Sequence, residues 1–407
     1  MGKRALLLKL FQDIRASYWF LPTVLVIFGL LLATLTEWID RDISVLPFNL
    51  PETFIDTQAD GARSTLAVIA QSIIGVTGVT FSMTLVAVSF ASGNFGPRLI
   101  GNFMRDRGNQ WSLGILISTF VYSLVVLRAV QDGYEGGVDA FVPQYSLLVA
   151  MALMLLCIFT LIYFIHHVPE TINVSRISAS LGNRLETQIR DLIDTQTPSN
   201  DSSKATWPNG KPKAVIKSAT AGYIQTCNID RLKQLAQTND WHIEMVPAIG
   251  DFVTIATDVL CIWSEDGLTD AQHADLESCF AIGSERTENQ NPGFLAQQLV
   301  EMTARALSPG INDPYTAMDC LNRLASALVV SICHDGGLHP IPSERLRRPQ
   351  LDFERLFSYS FPLCRQYVRP DDITRAHSLS LLEDLLVLAP QSNRKLVQAE
   401  IDGLKAS

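Results

Sequence analysis

Four uncharged apolar runs dominate the first 165 residues of the chain, and each is long enough to predict a membrane-crossing helix. About 20 apolar residues at helical rise span a bilayer core. The runs are Ser17 to Thr36, Ser64 to Ser92, Trp111 to Leu127 and Phe141 to Ile165. Tyr18 and Trp19 open the first run, where amphipathic rings suit the lipid interface. The first run is longer than a signal-peptide core and has no small-residue cleavage site after it, so it reads as a retained helix. The second is longer than one crossing needs and should tilt or protrude. Arg128 closes the third, and His166 and His167 follow the fourth.

After residue 165 the pattern changes to short mixed segments. PETINVSRISASLGNRLETQIRDLID predicts a helix continuing from the fourth run after Pro169. TQTPSNDSSKATWPNGKPK is a linker or long loop. AVIKSATAGYIQTCN reads as a strand, and Ile229 to Gln237 as a short helix capped by Asn228. WHIEMV is a strand, PAIGD a turn, and FVTIATDVLCIWS one or two further strands. Helices then follow: Phe294 to Leu307, a second from Pro314 to about Ser331, and amphipathic segments from Leu351 broken at Pro362, Pro370 and Pro390. The expected fold class is an α-helical membrane domain of four transmembrane helices plus a cytoplasmic α+β domain rich in helix. The expected divisions are 1–168, a connecting helix and linker over 169–213, a small α+β unit over 214–290, and a helical region over 291–407.

Charge sharpens the division. Residues 1–165 hold 10 Lys and Arg against 11 Asp and Glu, which leaves 22 against 30 for the remainder. An acidic soluble part argues against nucleic acid as a partner, since phosphate binding needs a basic face. Orientation follows from Lys and Arg. Lys3, Arg4, Lys9 and Arg15 precede the first run, and Arg98, Arg105 and Arg107 lie between the second and third. The other two loops are rich in Asp and Glu, including Asp40, Asp56, Asp132 and Glu135. Both termini are therefore expected in the cytoplasm. All seven cysteines lie at Cys157 or later, with no CxxC pair and no zinc-like Cys/His spacing. They read as reduced thiols.

The second run carries more than hydrophobicity. Gln71, Gly75, Gly78, Ser82 and Ser89 fall on one side of a helix, and Thr77, Thr80 and Thr84 on the other. A lipid-facing helix needs neither face, so this one is expected to be enclosed by other helices. Two explanations remain open: close helix packing through small residues, or a polar pathway with Gln71 as its one strongly polar group. No Asp, Glu, Lys or Arg lies mid-span, so charged relays within the bilayer lack their marker.

At GYIQ, IGDFV, GSERTENQ and RALSPGINDPYTA the sequence resembles a known family. GVTFSMTLVAVSFASGNFGPRLIGNFMRDRGNQ, FVYSLVVLR and LIYFIHHV fit the same pattern. The resemblance is to the bacterial predicted membrane proteins grouped as domain of unknown function 2254. It extends from Ser17 to about Val330 and implies a multi-span membrane protein with little agreed biochemistry; the expected location is the bacterial inner membrane.

Two loops are candidate sites. Gly283-Ser284-Glu285-Arg286-Thr287, with Gln290 and Asn291, follows a strand and precedes a helix, where polar groups can hold an anion or small ligand. The plainer reading is a loop capped by its own side chains. Ser308-Pro309-Gly310-Ile311-Asn312-Asp313-Pro314 joins two helices, with Gly310 expected at an unusual backbone angle, Asn312 or Asp313 as cap and Pro314 at helix entry. Arg286 and Asp313 could pair or share a ligand if the loops meet. His166 and Glu170 face one way only if the helix continues through Pro169, and interfacial anchoring is preferred there over a metal. Arg345, Arg347 and Arg348 could touch anionic lipid or form a solvated loop.

No GxSxG, HExxH, Walker-type glycine loop or GxGxxG occurs. No cofactor or metal is expected. The leading reading is a homo-oligomeric, channel-like or transport-related membrane protein for a small ion or solute, regulated or assembled by its cytoplasmic domain. A membrane-anchored sensor or scaffold is the alternative, and a membrane-bound enzyme acting around Arg286 and Asp313 the second alternative.

Overall fold

The computed structural model describes residues 17–42, 57–95, 106–132, 141–195, 207–335, 337–338 and 344–406. Lys3, Arg4, Lys9, Arg15, Asp56, Arg98, Arg105, Glu135 and most of the polar linker lie outside them. The chain divides into two compact units, one ending at Asn173 and the other beginning at Val174.

The N-terminal unit is helical: α1 (Phe20–Arg41), α2 (Ala59–Phe95), α3 (Arg107–Ala129) and α4 (Gln144–Thr171). Each apolar run became a helix, and each helix outlasts its run because flanking polar residues supply the end turns. Asp106 caps α3 by accepting from the Asn109 amide at 2.8 Å. α4 passes through Pro169. At 37 residues, α2 is about 55 Å long at helical rise, well beyond a bilayer core. α3 is the central helix and packs on α1, α2 and α4. Small residues set the α1–α3 approach. A Cβ on Gly29 would fall 2.4 Å from Ser118 Oγ, and one on Gly114 2.5 Å from Leu25 Cδ1.

In the C-terminal unit, α5 (Val174–Asp194) buries Ile177, Leu181, Leu185, Ile189 and Ile193, the stripe its 3–4 spacing predicts. The expected strand AVIKSATAGYIQTCN is two strands, β1 (Ala214–Lys217) and β2 (Gly222–Cys227), in different sheets. Gly222 at φ +159 begins β2, where a Cβ would meet the Gly283 carbonyl oxygen at 2.6 Å. Next come α6 (Ile229–Thr238), β3 (His242–Met245), β4 (Phe252–Val253), β5 (Asp258–Trp263), α7 (Asp270–Glu277) and β6 (Phe280–Gly283). The helical part is α8 (Pro292–Ala306), α9 (Pro314–Cys333), α10 (Phe353–Ser358), α11 (Phe361–Val368), α12 (Asp372–Leu388) and α13 (Gln391–Lys405). It also contributes β7 (Leu346–Arg347). One sheet has the order β1-β5-β3-β7, with β7 parallel to β3; the other is β4-β2-β6. Ile216, Ile224, Leu232, Ile243, Leu260 and Ile262 form their shared core.

Among the described residues, five helices are long and apolar enough to cross a membrane: α1 to α4 and α9. α9 is apolar for another reason as well. Ala317, Cys320, Leu321, Leu324 and Leu328 are buried where it packs on α5, α8 and α12.

Burial also governs the thiols. It pushes Cys227 and Cys320 up to about 12 and Cys279 up to about 11, and it raises Cys364 as well. A thiol raised in the fold stabilises it fully below the ordinary value of 9.0. Above that pH the unfolded chain ionises first. Stability should therefore fall between about pH 9 and 12, by up to about 1.4 kcal/mol per pH unit per thiol. At neutral pH a maleimide should modify exposed Cys333 ahead of buried Cys320 and Cys364. Equal labelling rates would contradict that burial.

Candidate functional site

On α2 the two polar faces have separate fates. Thr77, Thr80 and Thr84 are buried, and their hydroxyls donate to the carbonyls of Ile73, Thr77 and Thr80 at 2.7–2.9 Å. Gln71, Gly75, Gly78, Ser82 and Ser89 are exposed. The expectation that neighbouring helices enclose α2 on both sides is therefore corrected for the single chain: α3 and α4 cover the threonine side. A Cβ built on Gly75 or Gly78 meets nothing within 4 Å. Ser82 donates to the Gly78 carbonyl at 2.9 Å, and Gln71 has no hydrogen-bond partner among the described residues.

Two polar clusters in the same unit escaped the sequence reading. Asp40, expected in a loop, lies buried in the last turn of α1. Its carboxylate accepts from the Tyr145 amide at 2.8 Å, the Ser146 amide at 2.9 Å and the Ser146 hydroxyl at 2.6 Å. It therefore caps α4, with its charge at the positive end of the helix dipole. Tyr122 of α3 donates to the Ser146 carbonyl at 3.0 Å and lies 2.9 Å from Thr36 Oγ1. In the second cluster, His167 Nε2 lies 2.8 Å from Asp106 Oδ1, and its ring stacks on Tyr163 with centroids 5.0 Å apart. The hydrogen-bonded pairs are 24 to 106 positions apart in sequence, so no local motif signals them. Because α4 continues through Pro169, His166 reaches Glu170 at 3.5 Å, while His167 turns to Asp106.

In the C-terminal unit the GSERT loop is bound to its own surroundings. Arg286 donates from Nε to the Gly250 carbonyl at 2.9 Å and from Nη1 to Gln297, and lies 5.5 Å over the Tyr223 ring. Thr287 donates to the Gln225 carbonyl at 3.1 Å, and the Glu285 carbonyl accepts from Gln225 at 2.9 Å. Gln290, at φ +56, accepts from the Cys227 amide at 3.0 Å. Glu288 pairs with Arg184, and Asn291 caps α8. In the second loop the cap is Asp313, whose Oδ1 accepts from the Thr316 amide at 3.1 Å. The left-handed residue is Asn312, at φ +49, and not Gly310 as expected. Asn312 donates its amide to the Ser308 carbonyl at 2.9 Å, which tightens the turn. Arg286 and Asp313 thus have different partners.

The basic cluster is also engaged. Arg345 pairs with Asp240, and Arg347 lies 4.0 Å over the Trp207 ring. Desolvation, followed by Arg345, lowers the pKa of His242 beside them. Asp194, His334 and Asp335 place three possible metal-ligand atoms within 4.8 Å. Arg190 lies 3.2 Å from His334 Nδ1, and His334 Nε2 lies 3.0 Å from Asp194. With Nδ1 accepting from Arg190, Nε2 carries the proton toward Asp194 and has no lone pair for a cation. The group is a hydrogen-bonded latch between the ends of α5 and α9.

A unit of long apolar helices, joined in sequence to an α+β unit without a recognised catalytic motif, defines a predicted membrane protein of unknown activity. The chain belongs to the family described as predicted membrane protein, domain of unknown function 2254, whose model matches residues 15–384. It is 32% identical over 321 residues to uncharacterised proteins of Mycobacterium bovis and Mycobacterium tuberculosis strain H37Rv, and 31% identical to one of Mycobacterium tuberculosis strain CDC 1551. Each match covers 77% of this chain and 60% of the relative, so the chain spans less than two thirds of the curated relatives it matches. No solved structure matches it.

Proposed function

We propose that this protein is a homo-oligomeric membrane protein, channel-like or transport-related, in which the Gln71–Gly75–Gly78–Ser82–Ser89 face of α2 meets other copies around a path for a small ion or solute. The observation that supports this reading is the unmatched polarity of that face. Gln71 lacks a partner within the described residues, and the surface beside Gly75 and Gly78 is open. An unpaired amide in an apolar setting costs on the order of 1–3 kcal/mol, and other copies or water in a pore would supply its partners. In this reading α1 to α4 are the four spans, α9 is a core helix, both termini are cytoplasmic, and the membrane is the bacterial inner membrane. The C-terminal unit assembles or regulates the oligomer.

Gly78→Leu should break the oligomer, because the new side chain holds helices apart. Val79→Leu, about 100° around the helix, should not. Gln71→Leu should keep the oligomeric state and lower flux in reconstituted liposomes, since Leu dewets a constriction. If parent liposomes pass none of a panel of ions and small solutes, the pathway fails and the sensor or scaffold reading replaces it. If both Gly78→Leu and Val79→Leu keep the parent's oligomeric state, the α2 face is not an interface.

A further inference from the structure

Between α3 and α4 runs a groove of about 230 Å³, lined by Trp111, Ser112, Ile115, Phe159, Thr160 and Tyr163. Its body is apolar although the Ser112 and Thr160 hydroxyls line it. Ser112 donates to the Gly108 carbonyl and Thr160 to the Leu156 carbonyl, both at 2.8 Å, so neither offers its proton to an occupant. One end of the groove differs. Arg107, Trp111 and Ile115 follow one another at steps of four on α3, and Phe159 and Tyr163 do the same on α4, so each set shares a helix face. The Tyr163 hydroxyl lies against the first turn of α3, where a Cβ on Gly108 would fall 2.5 Å from it.

At this end three donors are unpaired among the described residues, beside the carboxylates of Asp106 and Glu170. The Arg107 guanidinium is exposed, and neither it, the Trp111 indole N–H nor the Tyr163 hydroxyl has a hydrogen bond or ion pair among the described residues. The neighbouring carboxylate of Asp106 is occupied by His167 and the Asn109 amide, both at 2.8 Å. Tryptophan and tyrosine mark the level of lipid head groups, where such donors find oxygen.

We propose that the groove binds one phospholipid. Its phosphodiester oxygens accept from Arg107, Trp111 and Tyr163, and one acyl chain lies along Ile115 and Phe159. A free anion would leave the apolar body uncovered, and a hydrocarbon chain alone would leave the donors unpaired. The site requires that α3 and α4 cross the bilayer and does not depend on the α2 pathway.

The test uses the full chain in detergent, titrated with phosphatidylglycerol, with a diacylglycerol of the same chains and with inorganic phosphate. Phosphatidylglycerol should raise the unfolding temperature saturably, and native mass spectrometry should show one retained lipid per chain. The other two additives should do neither. Arg107→Ala removes a charge-assisted hydrogen bond from an exposed position and should weaken apparent affinity about tenfold. Ile115→Trp should fill the groove and abolish retention, and Arg128→Ala, at the far end of α3, should leave it unchanged. An equal shift with inorganic phosphate would overturn the proposal, as would parent-like affinity in Arg107→Ala. If Ile115→Trp does not fold, Arg107→Ala decides.

Discussion

Asp40→Ala should destabilise the N-terminal unit by about 3 kcal/mol, one of the two largest effects expected of a single substitution in this chain. The carboxylate is buried and accepts from two α4 amides and the Ser146 hydroxyl. Alanine removes all three acceptor contacts at once. Losing a helix N-cap costs about 0.5–2 kcal/mol, and each buried donor left unsatisfied adds on the order of 1–3 kcal/mol. Partial relaxation keeps the total below the sum. Asp40→Asn keeps one acceptor oxygen and should lose about half as much. Tyr122→Phe removes the contacts to Ser146 and Thr36 and should cost about 1 kcal/mol. Because Tyr122 and Asp40 both hold Ser146, the double variant should not be additive. Reversible unfolding in detergent measures all four proteins. A change within about 0.5 kcal/mol for Asp40→Ala would show that water satisfies these amides and that the α4 cap is not held by Asp40.

The contrast between Asp40 and the apolar runs shows what was legible in the sequence. A run such as Ser64 to Ser92 carries its own signal, because about 20 uncharged residues can do little else in water or lipid. The role of Asp40 depends on Ser146, which is 106 positions away, and nothing local to either residue announces it. The two faces of α2 were readable from periodicity. Which face the chain covers was not, because that depends on where α3 packs. Sheet assignment failed for a related reason. AVIKSATAGYIQTCN has the composition of one strand, but a bend over residues 219–221 sends its halves to different sheets. β7 is two residues long and pairs in parallel with β3 across about a hundred positions, too short for any alternation to appear. At the candidate loops, residue types correctly marked polar, hydrogen-bonding positions. They left a ligand and the loop's own side chains both open, with the second the plainer reading, and Arg286, Thr287 and Gln290 do bond to the protein's own backbone and side chains.

Glycine placement gives the other large effect. Gly250→Ala should lower stability by about 3 kcal/mol, and Gly310→Ala should change it by less than about 0.5 kcal/mol. Gly250 sits at φ +95, where an L side chain is strained. A Cβ there would lie 2.0 Å from Asn291 Nδ2. Left-handed backbone costs about 1–2 kcal/mol for a residue with a Cβ. Displacing Asn291 disturbs the α8 cap and adds about 1 kcal/mol. The Gly250 carbonyl is also the acceptor for Arg286, so a shift of this turn reaches the GSERT loop directly. Gly310 has neither constraint: its φ is ordinary and its Cβ direction is open. The expectation of an unusual angle at Gly310 failed because Asn312 adopts it instead, with its amide bonded back to Ser308. The steric part can be separated from the backbone part by adding Asn291→Ala. If the clash with Asn291 dominates, Gly250→Ala and Asn291→Ala together should cost clearly less than the sum of the two singles. If Gly250→Ala and Gly310→Ala unfold at the same temperature, the turn before β4 is not the clasp that holds Arg286, and the loop is free to take the ligand-binding role considered for it.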